Sequence, residues 1–297
     1  MTTSAAETVP GERKLPPALR LLLMQLRQLL RHRSFQVGGV LFGTIVLMAI
    51  FADVISPFDP NENNYRAMLA PPGGAHLFGT DAFGRDILSR MIHGTRLSLQ
   101  VGLLVVVATG ILGTLLGTLA GYVRWLDTVI MRVMDGLMAF PGVLLAVALA
   151  AVLGPSAVNA ALALTITFTP RTARIVRGSV LVVRSLPYVE AARAAGATNG
   201  RIVLRHILPN ALPPLIVQMT FVFSVSILAE AVLSFIGVGP PPPQPSLGNI
   251  ISEGRAYIRE APWVALAPGV AIAISVLGLN IVGDALRDSL DPRLRRL

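Results

Sequence analysis

The stretch SLPYVEAARAAGATNGRIVLRHILP, residues 185–209, reads as two short helices. Pro187 suits a first helical turn, where its missing N–H is not needed, and Glu190 adds negative charge at that positive end. Gly196 suits a left-handed stop, Thr198 caps the second helix, and Pro209 is expected to close it. Alanines at 191, 192, 194 and 195 leave the first helix with little side-chain bulk. A groove on another protein can therefore come close to its backbone, so this helix points to a partner.

On both sides of this stretch the chain is apolar enough to cross a bilayer. A span needs roughly 20 mainly apolar residues, because about 30 Å of hydrocarbon is crossed at about 1.5 Å per residue. Six stretches qualify: 37–55, 97–122, 129–153, 157–180, 214–236 and 264–282. The first begins too late and is too long for a cleaved leader, and it lacks a small-x-small site. The whole composition agrees. Of 297 residues, 53% are hydrophobic and 14% charged, with mean hydropathy +0.67, too few polar residues to build the shell of a soluble domain. The expected fold is an all-α membrane protein with six transmembrane helices. Its parts are a cytoplasmic N-terminal segment 1–36, the first span 37–55, an external loop 56–96, a five-helix core 97–282 containing the loop 181–213, and a cytoplasmic tail 283–297.

The net charge of +9 is explained by topology rather than by nucleic acid. With the N-terminus inside, 19 of the 25 Lys and Arg residues fall on the cytoplasmic side, and Arg66, Arg85, Arg90, Arg96, Arg255 and Arg259 fall outside. Both termini are then cytoplasmic. Upstream of the first span, Leu19, Leu22, Leu23, Leu26, Leu29 and Leu30 recur at helical spacing while Arg20, Arg27 and Arg31 gather on another side. This is the pattern of a basic amphipathic helix on the inner membrane surface, or of one packed on a partner subunit.

Polar and small residues within the spans mark contacts. Gly113, Gly117 and Gly121 form a stripe in the second span, and Gly39 and Gly43 a shorter one in the first, both read as sites of close helix packing. Glu230, near the middle of the fifth span, either contacts the translocation path or pairs with an Arg or hydroxyl on a neighbouring helix. Arg171, Arg174 and Arg177 are placed to snorkel to the interface. In the external loop, Asp81 and Arg85, and Asp86 and Arg90, form two i,i+4 pairs if the segment is helical, giving a short ion-paired helix or a docking surface.

Catalytic constellations are missing. There is no cysteine, the four histidines are dispersed, and no HExxH or GxSxG motif occurs. Lys14 is the one lysine, so no phosphate-binding G-x-x-x-x-G-K-[ST] loop exists here, and any ATP is hydrolysed by a partner.

Glu190-Ala191-Ala192, Gly196 six residues after the Glu, and Leu208-Pro209 resemble the EAA loop of bacterial ABC-importer permeases; His206 stands where many such permeases have an aliphatic residue. Gly79-Thr80-Asp81 with Gly84-Arg85-Asp86, the tail around Asn280, Asp284 and Asp291-Pro292, and the segment from Ala229 to Phe235 resemble the second permease subunit of dipeptide and oligopeptide importers. The resemblance covers residues 30–297. It implies a type I permease in the bacterial inner membrane that pairs with a second permease, two cytoplasmic ATPases and an extracytoplasmic solute-binding protein. ATP and Mg2+ would sit on the ATPases, with no cofactor or metal in this chain and a peptide as cargo. The EAA helix would seat in an ATPase cleft. Nickel complexes or sugars are the alternative cargo; an ion-coupled secondary transporter is the alternative machine and leaves the EAA loop without a purpose.

Overall fold

The computed structural model describes Leu30 and residues 32–290. The expected amphipathic helix lies outside the described residues except at Leu30, as do residues 291–297. The described residues fold into helices, with isolated bridges only at Gly73–His76 and Thr80–Asp86. In chain order these are α1 (Arg33–Ile50), α2 (Ala52–Ile55), α3 (Ile87–Tyr122), α4 (Arg124–Met138), α5 (Gly142–Leu153), α6 (Ala157–Arg184), α7 (Pro187–Ala194), α8 (Asn199–Ile202), α9 (Leu208–Ile236), α10 (Leu247–Gly254) and α11 (Trp263–Leu290).

Four runs are long and apolar enough to cross a membrane: α1, α3, the continuous run Asn199–Ile236, and α11. The expected third span, 129–153, is not one straight helix. It is broken into α4 and α5 with a 91° bend, and counts as a fifth crossing only if the pair is one span. The cause is Pro141, which lacks an N–H and disfavours helical backbone at Phe140 before it. The fourth stretch lies in α6, whose 28 residues suffice in length but include Pro170, Arg171, Arg174, Arg177 and Arg184. That polar content keeps α6 outside the set that length and composition identify.

Other expected boundaries move as well. The second spanning helix begins at Ile87, ten residues before position 97, because Asp86 caps it by accepting from the Ser89 N–H. Pro209 does not close a second short helix. The chain from Asn199 continues through a π turn, Val203–Ile207, into α9, and the fifth span therefore starts before Pro214. Pro209 falls in the first turn of α9, and the wider π turn lets the Leu208 N–H reach the Val203 carbonyl. Gly196 does stop α7, at φ +83°.

The bundle is organised around α3 and α6, its most extensive helix pair. A Cβ at Gly113 would meet the Thr172 side chain, one at Gly117 the Ala173 carbonyl oxygen, and one at Gly121 Val180. The glycine stripe is thus where the two backbones approach. The shorter stripe does not behave this way: a Cβ at Gly39 or Gly43 would meet nothing within 4 Å, whereas one at Gly38 would meet Ile281 and the Gly278 carbonyl of α11. Leu97, Val101 and Val105 of α3 pack with Ala161 and Leu164 of α6 and Val222 and Leu233 of α9 to form the main core. A second cluster joins Ile87 and Met91 to Leu247 and Ile250 of α10 and Val264 of α11.

Candidate functional site

Three places carry function-bearing side chains: the α7–α8 segment at one end of the bundle, two adjoining cavities lined by α6 and α9, and an ion-pair cluster in the loop before α3.

From α7 through the π turn, three apolar side chains are sunk and the others are exposed or half-buried. Val189, Ile202 and Ile207 are buried among Val176, Val180 and Val183 of α6. Burial of side chains of this size stabilises by about 1.5 to 3 kcal/mol each, which fixes α7 to the bundle by its inner face. Glu190, Ala191, Gly196 and Pro209 remain exposed, with Ala192 and Leu208 half-buried. Two hydrogen bonds tie the segment down further: the Tyr122 hydroxyl donates to Asn199 Oδ1 (2.7 Å), and Asn210 Nδ2 donates to the Tyr188 hydroxyl (3.1 Å). The His206 ring lies 6.1 Å from that of Tyr188. A Cβ at Gly196 would meet nothing within 4 Å, so within this chain the glycine is required by its left-handed backbone alone.

The arginines of α6 divide by partner. Arg177 pairs with Asp127 and Arg174 with Asp135 (2.6 Å), both carboxylates of α4. Arg171, one turn earlier, has no carboxylate partner among the described residues; its guanidinium lies 4.7 Å from the centre of the Phe221 ring of α9. Arg171, Gln218 and Phe221 line two adjoining cavities of about 550 and 310 Å³. The larger is completed by α11 with Asn280, Asp284 and Arg287, the smaller by the α4–α5 bend with Met138 and Phe140.

Glu230 lies in neither cavity. It is fully buried, and its carboxyl accepts from Ser98 Oγ of α3 (2.5 Å) and Ser234 Oγ of its own helix (2.7 Å). No arginine reaches it; hydroxyls satisfy its oxygens.

Asp81, Arg85, Asp86 and Arg90 are all buried, but not on the short helix expected of them. Residues 81–86 form a turn, and only the Asp81–Arg85 pair exists (2.7 Å). Arg90 instead binds Asp81 and Glu253, and Arg85 also binds Glu253 (2.6 Å). Asp86 holds His76 Nδ1 at 2.9 Å and accepts from the Ser89 hydroxyl. The Asp86–Arg90 pair does not form because the Asp86 carboxylate is occupied by the Ser89 N–H and hydroxyl and by His76. Glu253, from α10, is the participant that local spacing could not reveal, lying more than 160 positions away in sequence. The cluster clasps the loop before α3 to α10.

Residues 113–296 match the family model described as binding-protein-dependent transport system inner membrane component, and residues 21–72 match the N-terminal TM domain of oligopeptide transport permease C. A protein of Brucella abortus biovar 1, provisionally named a peptide transport system permease, is 52% identical over 274 residues, covering 92% of this chain and 93% of the relative. The dipeptide transport system permease protein DppC of Alkalihalophilus pseudofirmus is 45% identical over 270 residues, covering 91% and 89%. Among solved structures, one described as inward facing conformations of the MetNI methionine ABC transporter aligns with a TM-score of 0.57 at 22% identity. It covers 69% of this chain and 98% of that one, a likeness of fold.

Proposed function

The chain belongs to the family of binding-protein-dependent transport system inner membrane components, and from that premise we propose that it is the peptide-carrying permease subunit of an ATP-driven importer. It performs no chemistry. It forms half of a translocation path with a second, similar permease in the bacterial inner membrane, with both termini cytoplasmic, while two ATPases hold ATP and Mg2+ and a solute-binding protein delivers the cargo. Two relatives whose names specify peptide or dipeptide transport support this cargo over nickel complexes or sugars.

The observation that carries the coupling role is the α7–α8 segment: an exposed, alanine-rich helix held by Val189 in a cluster with Val176 of α6 and Ile207. Glu190, Ala191, Ala192 and Gly196 form the face an ATPase cleft would take, with Leu208 and Pro209 at the join to α9. A displacement of α7 passes to α6 and, through the π turn, to α9, and these two helices carry Arg171 and Gln218. Closure of the ATPase pair would thereby change the exposure of the path from one side to the other.

Co-purification under native expression, followed by reconstitution, tests this reading. Two ATPases, a second permease and a binding protein are expected, and the vesicles should accumulate short peptides only with ATP and binding protein. Uptake driven by an ion gradient alone, or of nickel chelates in preference to peptides, would overturn it.

A further inference from the structure

We propose that Arg171 and Gln218, each near the middle of its helical run, form a transit site for the terminal carboxylate of the cargo. The cargo class rests on the reading above; the site itself rests on four observations. Arg171, Arg174 and Arg177 lie three residues apart on one helix, yet only the latter two are neutralised by α4 carboxylates. Arg171 keeps its charge at the boundary of two cavities and is steadied by the Phe221 ring, a cation–π contact that leaves its N–H edges free to donate.

Gln218 is the second observation. The residue is only 6% exposed and lines both cavities, with no hydrogen-bond partner for its amide among the described residues. Its amide is thus open to the cavities, where water or an entering guest can take up its N–H and carbonyl groups. The third is charge: among the described residues, Arg171 and Arg287 line the larger cavity with a single carboxylate, Asp284, so that lining is net positive. The fourth is size. About 550 Å³ falls within the range of small-molecule sites, and Phe140 and Phe168 give the neighbouring cavity an apolar wall. A guanidinium fork beside an amide donor fits a carboxylate, and the adjoining apolar cavity fits side chains of varied shape.

Position also links the site to coupling. Arg171 is on α6 and Gln218 on α9, the helices joined to α7, so a shift of α7 alters the separation of the two donors. The site would then hold the carboxylate in one state and release it in the other.

The test uses the natural lack of cysteine in this chain. Val217→Cys, in the wall of the larger cavity, is placed in the assembled transporter with cysteine-free partner subunits. Its reaction rates with anionic and cationic methanethiosulfonates of similar size are then compared. The anionic preference should fall about fivefold with Arg171→Gln and return with Arg171→Lys. A tripeptide with a free C-terminus should slow labelling, and its C-terminal amide should not; Gln218→Leu should weaken that protection. An unchanged charge preference in Arg171→Gln, or equal protection by acid and amide, would overturn the proposal. If the parent assembly accumulates no peptide with ATP, the cargo reading fails instead, and the charge preference still decides whether Arg171 sets the sign of the cavity.

Discussion

Replacing Gly117 by alanine should loosen the bundle at its most extensive helix pair. The added Cβ would lie 2.4 Å from the Ala173 carbonyl oxygen, 2.8 Å from Val176 Cβ and 3.1 Å from the Arg177 nitrogen. Ordinary contact begins at 3.4 Å, so α3 and α6 must separate by about 1 Å. Neither the carbonyl nor the amide belongs to a flexible side chain that could turn aside, and a close-packed interior transmits the strain. Overpacking of this kind costs about 1 to 3 kcal/mol, and about 2 kcal/mol is roughly 30-fold in the unfolding equilibrium. Gly39→Ala is the matched control, because a Cβ there meets nothing within 4 Å; it should be neutral or stabilise by about 0.5 to 1 kcal/mol through helix propensity. Unfolding of the isolated subunit by SDS in mixed micelles measures both. Wild-type stability for Gly117→Ala, together with a loss for Gly39→Ala, would refute the assignment of the glycine contacts.

Asp81→Asn leaves Arg85 and Arg90 facing Glu253 alone and should destabilise the loop before α3 by about 3 to 5 kcal/mol, read as a lowered unfolding midpoint; Glu253→Gln should cost less, because that side chain is 29% exposed. Ser98→Ala removes one of two donors to the buried Glu230 carboxyl and should cost about 1 to 3 kcal/mol in the same assay, while Glu230→Gln should transport peptide at close to the wild-type rate because the residue faces neither cavity. Cysteine at exposed Asn63 should react with an impermeant thiol reagent from outside and cysteine at exposed Arg193 only after permeabilisation; the reverse pattern would invert the topology.

Much of the architecture was legible because its signals are local. Apolar length located α1, α3, α9 and α11, and the spacing of Gly113, Gly117 and Gly121 anticipated a close helix contact that the structure assigns to α6. The stop at Gly196 and the cap at Thr198 also follow from local chemistry. What escaped was set by competition or distance. Pro141 breaks a stretch that hydropathy alone joins, and Pro209 reads as a stop although a π turn carries the helix through it. The carboxylate of Asp86 is occupied by Ser89 and His76, and Arg90 turns to Asp81 and to Glu253, which arrives from α10. At the cavities, three arginines of identical spacing looked equivalent; only the placement of Asp127 and Asp135 on α4 separates Arg171 from the others.

If the 185–209 segment transmits ATPase closure to the path, Gly196→Asp should interrupt that transmission. The substitution strains a backbone at φ +83° and adds a charge where a Cβ has open space within this chain, the space a partner would occupy. ATP-driven peptide uptake by the reconstituted assembly, normalised to inserted subunit, is the measurement. Uptake should fall by more than about tenfold with insertion and binding-protein affinity unchanged. Normal uptake, with ATPase activity still stimulated by loaded binding protein, would contradict that role of the segment.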